Sequence, residues 1–313
     1  MLTRIVAITA ILAFGAAPIG AEEPDLGFKP AGPGLYGFDT GLFKGTLKLD
    51  GKYQGLYPLI DAKTGADLTH PPGVFSFYRV FTTNTRYGNA ARDWPTVTRL
   101  LADGAVAVDW PAAEEHPLEL HAVYRWSAAD TLDLEITAVP QRDMPDFELF
   151  MSSYFTKSFR ASVYLGPEED PGKGPRFVPA DRSADSTGGY VMFPRDEQSL
   201  AMVLDGRWKI PPSPVDWAEG RRLFSPLAMR RDVGADITAV MMAPPQDCFA
   251  VSCPWNPATA DAGGYRSLYL SLFGRDLEAN RDARACCRLV IGRAITDQRA
   301  VELYEAYVSP HKQ

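Results

Sequence analysis

The segment Arg79 to Trp94 gathers guanidinium, amide, carboxylate and large aromatic groups within sixteen residues. Arg79, Asn84, Arg86, Arg92 and Asp93 supply the planar, multi-centre hydrogen-bond partners that sugar hydroxyls need. Trp94 supplies a ring on which the apolar face of a pyranose packs. The same residues also describe an Arg–Asp network bracing a loop. A second cluster runs from Gln246 to Asn256 and ends in Pro254-Trp255-Asn256. Trp255 reads either as a sugar-stacking platform or as a tryptophan capping the core. Glycoside chemistry needs two carboxyl groups facing one ring. Glu119, Asp133 and Glu135 alternate onto one face of adjacent strands, as a solvated face would also have them. Glu148 stands between Phe147 and Leu149 in an apolar run, where burial would raise its pKa and ready it for acid–base work. Tyr154, farther along that run, can donate a proton or, when activated, take one up.

Other motifs fail on their context. Gly32, Gly34 and Gly37 have the spacing of a dinucleotide fingerprint, but no helix follows to meet a pyrophosphate. Gly166 to Gly174 is one residue too long for a phosphate loop and ends in Gly where Ser or Thr is required. His70, His116, His121 and His311 show no ligand spacing. Neither a metal nor a cofactor is expected. Cys248, Cys253, Cys286 and Cys287 fit no zinc pattern and allow three disulfide pairings, so they read as buried thiols or one bridge.

The elements that would position these groups are strands. Leu118, Leu120, Ala122, Tyr124 and Trp126 alternate with polar residues, and so do Leu132, Leu134, Ile136 and Ala138. With the short link Ser127 to Asp130 between them, the two runs predict an antiparallel hairpin. Further strands are expected at 45–49, 55–60, 75–81, 97–101, 105–110, 147–155, 162–165, 190–193, 200–204, 223–230, 237–242, 248–253, 267–273 and 285–291. A single helix is expected over Asp297 to Val308, capped by Thr296 or Asp297. Long irregular stretches occupy 166–189 and 211–220. Crossover helices are missing, so the pattern predicts an all-β antiparallel sandwich with long loops and one C-terminal helix.

The chain has 313 residues, 46% of them hydrophobic, enough apolar surface for a large core. Its net charge is −7, which repels phosphate backbones, and no basic run offsets it; nucleic acid is not an expected partner. Arg4, the apolar stretch Ile5 to Ala17 and the small residue Ala21 read as a secretory signal peptide over 1–21, too short to span a membrane stably. A single domain over 22–313 is expected, secreted or periplasmic in a bacterium, with no membrane span after cleavage.

The hairpin Leu118 to Val139, the run Phe147 to Phe155, the strand ending in Pro254-Trp255, the run Ser267 to Arg275 and the strand Cys286 to Ile291 together resemble the galactose mutarotase-like superfamily. That resemblance implies an antiparallel β-supersandwich and a saccharide or polysaccharide bound in a groove on its sheet. Aldose 1-epimerases of this group use a histidine acid in mid-chain and a glutamate base near the C-terminal strands. Here no histidine lies between His121 and His311. Ser152-Ser153-Tyr154-Phe155 stands where the acid strand would be, and Asp247 and Asp276 stand in the C-terminal strands. The expected protein is an exported carbohydrate binder, or a divergent epimerase, lyase or hydrolase. Arg79, Asn84, Arg86, Arg92, Asp93, Trp94 and Trp255 would line its groove, with Glu148 and Tyr154 as acid–base candidates. A lyase would use the arginines to neutralise a uronate. The rival expectation is a non-catalytic sandwich docking a protein at the cell envelope.

Overall fold

The computed structural model describes residues 25–167, 174–180, 189–254 and 265–311. The expected signal segment and Trp255 lie outside the described residues.

In chain order, β1 (Lys29–Gly32), β2 (Leu35–Asp39), β3 (Phe43–Lys48) and β4 (Gly55–Asp61) form a four-stranded antiparallel sheet. There follow β5 (Ser76–Thr82), β6 (Thr85–Arg86), β7 (Val97–Leu100), β8 (Val106–Trp110), β9 (Leu118–Ala128), β10 (Thr131–Pro140) and β11 (Met144–Thr156). Next come β12 (Arg160–Leu165), β13 (Arg176–Pro179), β14 (Tyr190–Pro194), helix α1 (Glu197–Leu204), β15 (Trp217–Glu219) and β16 (Leu223–Asp232). The chain closes with β17 (Ile237–Met242), β18 (Cys248–Pro254), β19 (Tyr265–Leu277), β20 (Ala283–Arg293) and helix α2 (Asp297–Val308).

Among the described residues, two large sheets are built from these strands. One has the order β13-β12-β16-β17-β20-β10-β9-β8-β7, the other β15-β14-β18-β19-β11-β5-β6. All pairs are antiparallel except β14 with β15. The hairpin β9–β10 forms as the alternation requires: Leu118, Leu120, Ala122, Tyr124 and Trp126 are buried, as are Leu132, Leu134, Ile136 and Ala138. These pack in one core with Leu149, Met151, Leu268, Leu270 and Leu272 of the facing sheet. Each leucine, isoleucine or methionine among them contributes roughly 1.5–3 kcal/mol when fully removed from water.

Both sheets also bury part of their outer faces. On the nine-stranded sheet, α2 lays Ala300, Tyr304, Tyr307 and Val308 against Leu227, Met229, Val240 and Met242. Thr296 caps α2, its side chain accepting from the Arg299 N–H. On the seven-stranded sheet, Phe81, Phe150, Tyr154, Met192, Phe249 and Tyr269 form a second apolar cluster.

One expected strand is a helix. Residues 200–204 belong to α1, because Asp196 accepts from the Ser199 N–H at 2.8 Å and nucleates a helical turn that the short apolar run then continues. All four cysteines are free thiols, three of them buried.

The four-stranded sheet joins the main core through Leu47, Leu56 and Leu59. A bidentate pair fastens it further, Arg293 at the end of β20 donating to Asp61 at 3.1 and 2.6 Å. Asp61 is only 1% exposed, and the Arg293 guanidinium holds its carboxyl down at about 2. A lowered carboxylate pKa means stability that is fully present above the unfolded value near 3.8 and is lost as pH falls through about 2. Asp61→Asn is therefore expected to cost on the order of 2 kcal/mol at neutral pH, measured by denaturant titration. The difference from the parent should shrink as pH drops through that window. Identical midpoints at neutral pH would contradict this account.

Candidate functional site

A cleft of about 270 Å³ opens on the outer face of the seven-stranded sheet. Its floor comes from β5, β11, β14 and β19. Residues Glu148, Phe150, Ser152 and Tyr154 of β11 alternate against Phe147, Leu149, Met151 and Phe155, which face the main core. On β5 the alternation breaks. Phe150 pairs with Arg79 and Met151 with Phe77, leaving Tyr78 as an extra residue. This bulge turns both Tyr78 and Arg79 into the cleft, where strict alternation would send one of them to the core. A similar shift between Cys248 and Ala250 places Phe249 with Ala250 in the same outer cluster.

The roof is the segment that follows α1. Gly206 has φ +107°, a conformation that strains residues with a Cβ, and an added Cβ would lie 3.0 Å from Asn84 Oδ1. The turn leads into Arg207, which is fully buried. Its guanidinium donates to Glu148 at 3.3 Å, to both oxygens of Asp205 and to the Asp146 carbonyl. With Arg207 anchored, Trp208 is set against Phe81 and Phe150, with ring centres 4.7 and 4.6 Å away. Trp217 of β15 meets Trp208 edge-on at 4.9 Å, and Tyr190 stands 6.0 Å from Trp217. On the floor, Tyr269 stacks on Phe150 at 4.7 Å. Two arginines tie down the next stretch of the roof. Arg86 donates to the carbonyls of Ile210 and Pro212, and Arg79 to that of Ser213 at 2.7 Å.

The cleft is electropositive. The Arg79 side chain is 2% exposed, with its Cζ 4.8 Å from the Tyr78 ring centre and 4.9 Å from that of Trp208. Among the described residues its Nε and Nη1 have no hydrogen-bond partner, nor do the indole nitrogens of Trp208 and Trp217. Leaving a buried donor unpaired costs about 1–3 kcal/mol. Arg92 donates to the Tyr154 hydroxyl at 3.2 Å and stacks over Tyr78 at 4.4 Å. Burial, and then the positive charge of Arg79, push the Arg86 pKa down to about 10, so it stays charged at neutral pH.

The sequence-derived candidates divide accordingly. Arg79 and Tyr154 line the cleft, and Arg92 backs it. Arg86 secures the roof. Asn84 sits in the adjoining turn, its N–H donating to Asp205. Asp93 accepts from the Tyr53 N–H, and Trp94 stacks on His116 at 3.6 Å within the main core. Neither Asp93 nor Trp94 lines the cleft. Glu148 is fully buried beneath the roof and paired with Arg207. Burial raises its pKa above the ordinary carboxylate value, against the pull of Arg207. Asp133 is bound by Arg288, and Glu135 lies one pleat away, both on the opposite sheet. Asp247 accepts from the Cys286 N–H, and Asp276 from the Asp146 N–H. Sequence reasoning missed Tyr78, Phe150, Tyr190, Trp208, Trp217 and Tyr269. The signal available was the pair of aromatics, Phe150 and Tyr154, on the same face of one strand, and two tryptophans flanking the Pro-rich stretch 211–214.

A larger groove, about 650 Å³, lies on the nine-stranded sheet beside α2. Of the charged residues that line it, Arg288 is engaged with Asp133 and Asp247 with the Cys286 backbone, while Glu135 and Arg284 complete the lining. The aromatic cleft, with its unpaired donors, is the better candidate.

Glu148 thus acts as a structural counter-ion. Arg207→Ala is expected to destabilise the fold by about 3–5 kcal/mol, since it leaves a buried carboxyl without its partner. Glu148→Gln should cost less, because it keeps the shape and a hydrogen-bond acceptor. Calorimetric melting of the two variants checks this order, and equal stability of Arg207→Ala and the parent would overturn it.

No protein-family description and no curated protein sequence matches this chain. Solved structures do match it. An Escherichia coli K12 protein provisionally named an aldose 1-epimerase aligns over 83% of this chain and 99% of its own, with a TM-score of 0.50 and 12% identity. The Slr1438 protein of Synechocystis sp. PCC 6803 aligns over 88% of this chain and 100% of its own, with a TM-score of 0.51 and 12% identity. At that identity the likeness speaks for the fold: the chain has the aldose 1-epimerase, or galactose mutarotase-like, β-sandwich fold in a divergent form.

Proposed function

We propose that this is an exported saccharide-binding protein whose ligand occupies the aromatic cleft. The observation that carries the reading is the convergence of Phe150, Tyr190, Trp208, Trp217 and Tyr269 on one cavity, with unpaired N–H donors carried by lining residues. Pyranose rings present apolar faces to aromatic side chains and oxygen acceptors to N–H groups, so such a wall suits them on both counts. The fold shared with a protein provisionally named an aldose 1-epimerase supports the same ligand class.

The acid–base inventory of the cleft favours binding over ring-opening chemistry. Among the described lining residues there is neither a carboxylate nor a histidine; the titratable groups are Arg79 and the hydroxyls of Tyr78, Tyr154, Tyr190 and Tyr269. Tyr154, whose oxygen accepts from Arg92, is the candidate for any proton transfer. Export through segment 1–21 and a single domain over 22–313 complete the reading.

Two measurements test it. Titration of the protein with a panel of oligosaccharides, followed by tryptophan fluorescence, should identify a ligand that Trp217→Ala binds about tenfold more weakly. Unchanged affinity in that variant would remove the ligand from this cleft. N-terminal sequencing of protein recovered from the periplasm should begin near Glu22; an intact Met1 there would refute signal cleavage.

A further inference from the structure

We propose that the cleft takes an anionic saccharide, with an oxyanion of the sugar received by the Arg79 guanidinium. This rests on the saccharide reading above and names its substrate class.

The hydrogen-bond inventory points to it. Arg79 Nε and Nη1, Trp208 Nε1 and Trp217 Nε1 are buried, unpartnered, and carried by residues that line one cleft. All are donors, and neither side-chain type can accept. A neutral hydroxyl can answer such a donor, but it brings a donor of its own. A carboxylate or sulfate brings acceptors only, which is the complement of this set.

The charge balance agrees. Arg79 donates to the Tyr78 hydroxyl and the Ser213 carbonyl and, among the described residues, to no carboxylate. Arg86 is held by the carbonyls of Gly88, Asn89, Ile210 and Pro212. Both hold the same stretch of roof, so two positive groups stand together with only neutral partners. The nearby acids are engaged elsewhere: Glu148 and Asp205 by Arg207, and Asp93 by the Tyr53 N–H. A guanidinium out of water forms strong charge-assisted bonds, and a ligand oxyanion would also relieve the repulsion between Arg79 and Arg86.

The oxyanion is either the carboxylate of a uronate or a sulfate ester, and the test separates the two. The full chain is titrated by calorimetry with trisaccharides of galacturonate, glucuronate, mannuronate and guluronate. Their methyl esters keep the ring stereochemistry and lose the charge. A second arm compares sulfated neutral trisaccharides with their desulfated forms. In at least one arm the charged form should bind about tenfold or more tightly than its neutral counterpart. That preference should shrink as sodium chloride is raised and vanish in Arg79→Gln. A preference in the uronate arm identifies a carboxylate ligand, and one in the sulfate arm a sulfate ester. Neutral forms binding as tightly as charged ones would overturn the anionic inference and leave the saccharide reading standing. Binding of none of these sugars would overturn both. A preference that survives in folded Arg79→Gln would overturn the role of Arg79. Should that variant fail to fold, the charged-to-neutral ratio of the parent and its salt dependence decide the matter.

Discussion

Arg207 and Glu148 face each other at 3.3 Å with neither side chain exposed, and the cleft depends on that pair. Removing two ions from water costs several kcal/mol each, so such a pair persists only when other hydrogen bonds complete it. Here Asp205 and the Asp146 carbonyl complete the arginine, while among the described residues Glu148 Oε1 has no hydrogen-bond partner. The result is one fixed point between the sheet and the segment after α1. Trp208 is the next residue, and its ring position follows from that anchorage. Trp217 in turn packs on Trp208. The aromatic wall is therefore assembled by an electrostatic contact that itself lies outside the cleft.

A second constraint acts from the opposite side. The β5 bulge turns Tyr78 and Arg79 toward the same face, so the Arg79 guanidinium lies against rings and under a roof. Its charge receives cation–π stabilisation, worth about 2 kcal/mol when desolvated. That offsets part of the cost of leaving Nε and Nη1 unpaired. Arg79 and Arg86 each spend donors on carbonyls of the roof, which makes roof position and cationic character parts of one arrangement. A change that frees the roof would also alter what the cleft attracts.

The frame was largely legible in the sequence, because side chains that alternate with period two can bury one face only as strands. The β9–β10 hairpin follows that rule and helix α2 the 3.6-residue period of a helix, and both lie where the pattern places them. The misplaced element, 200–204, is a five-residue apolar run, too short for periodicity to separate helix from strand; Asp196 settles it as an N-cap. The site was legible only in part. Arg79 stood out by type, and Tyr154 by its place in β11. Trp94 carried the same chemical promise, yet it stacks on His116 in the core, since nothing local in sequence reports which side of a turn a ring enters. Trp208 and Trp217 are placed by partners about 60 residues away in the chain: Arg207, next to Trp208, pairs with Glu148, and both indole rings lie against Phe150. Such long-range placement leaves no periodic trace.

Glu148 shows why an ionisable group in an apolar strand is an ambiguous sign. Burial raises its pKa as acid catalysis would require, but a catalytic acid must also reach its substrate. The Arg207 segment covers it, and it contributes nothing to the cleft surface. The sequence resemblance implied a histidine acid and a glutamate base; the described lining of the cleft offers arginine and tyrosines instead. A shared two-sheet frame constrains where a ligand can sit, while the side chains on that face decide what is done with it. Among the described residues those side chains are rings and N–H donors, and it is this set, not the two-sheet frame, that gives the face its chemical character.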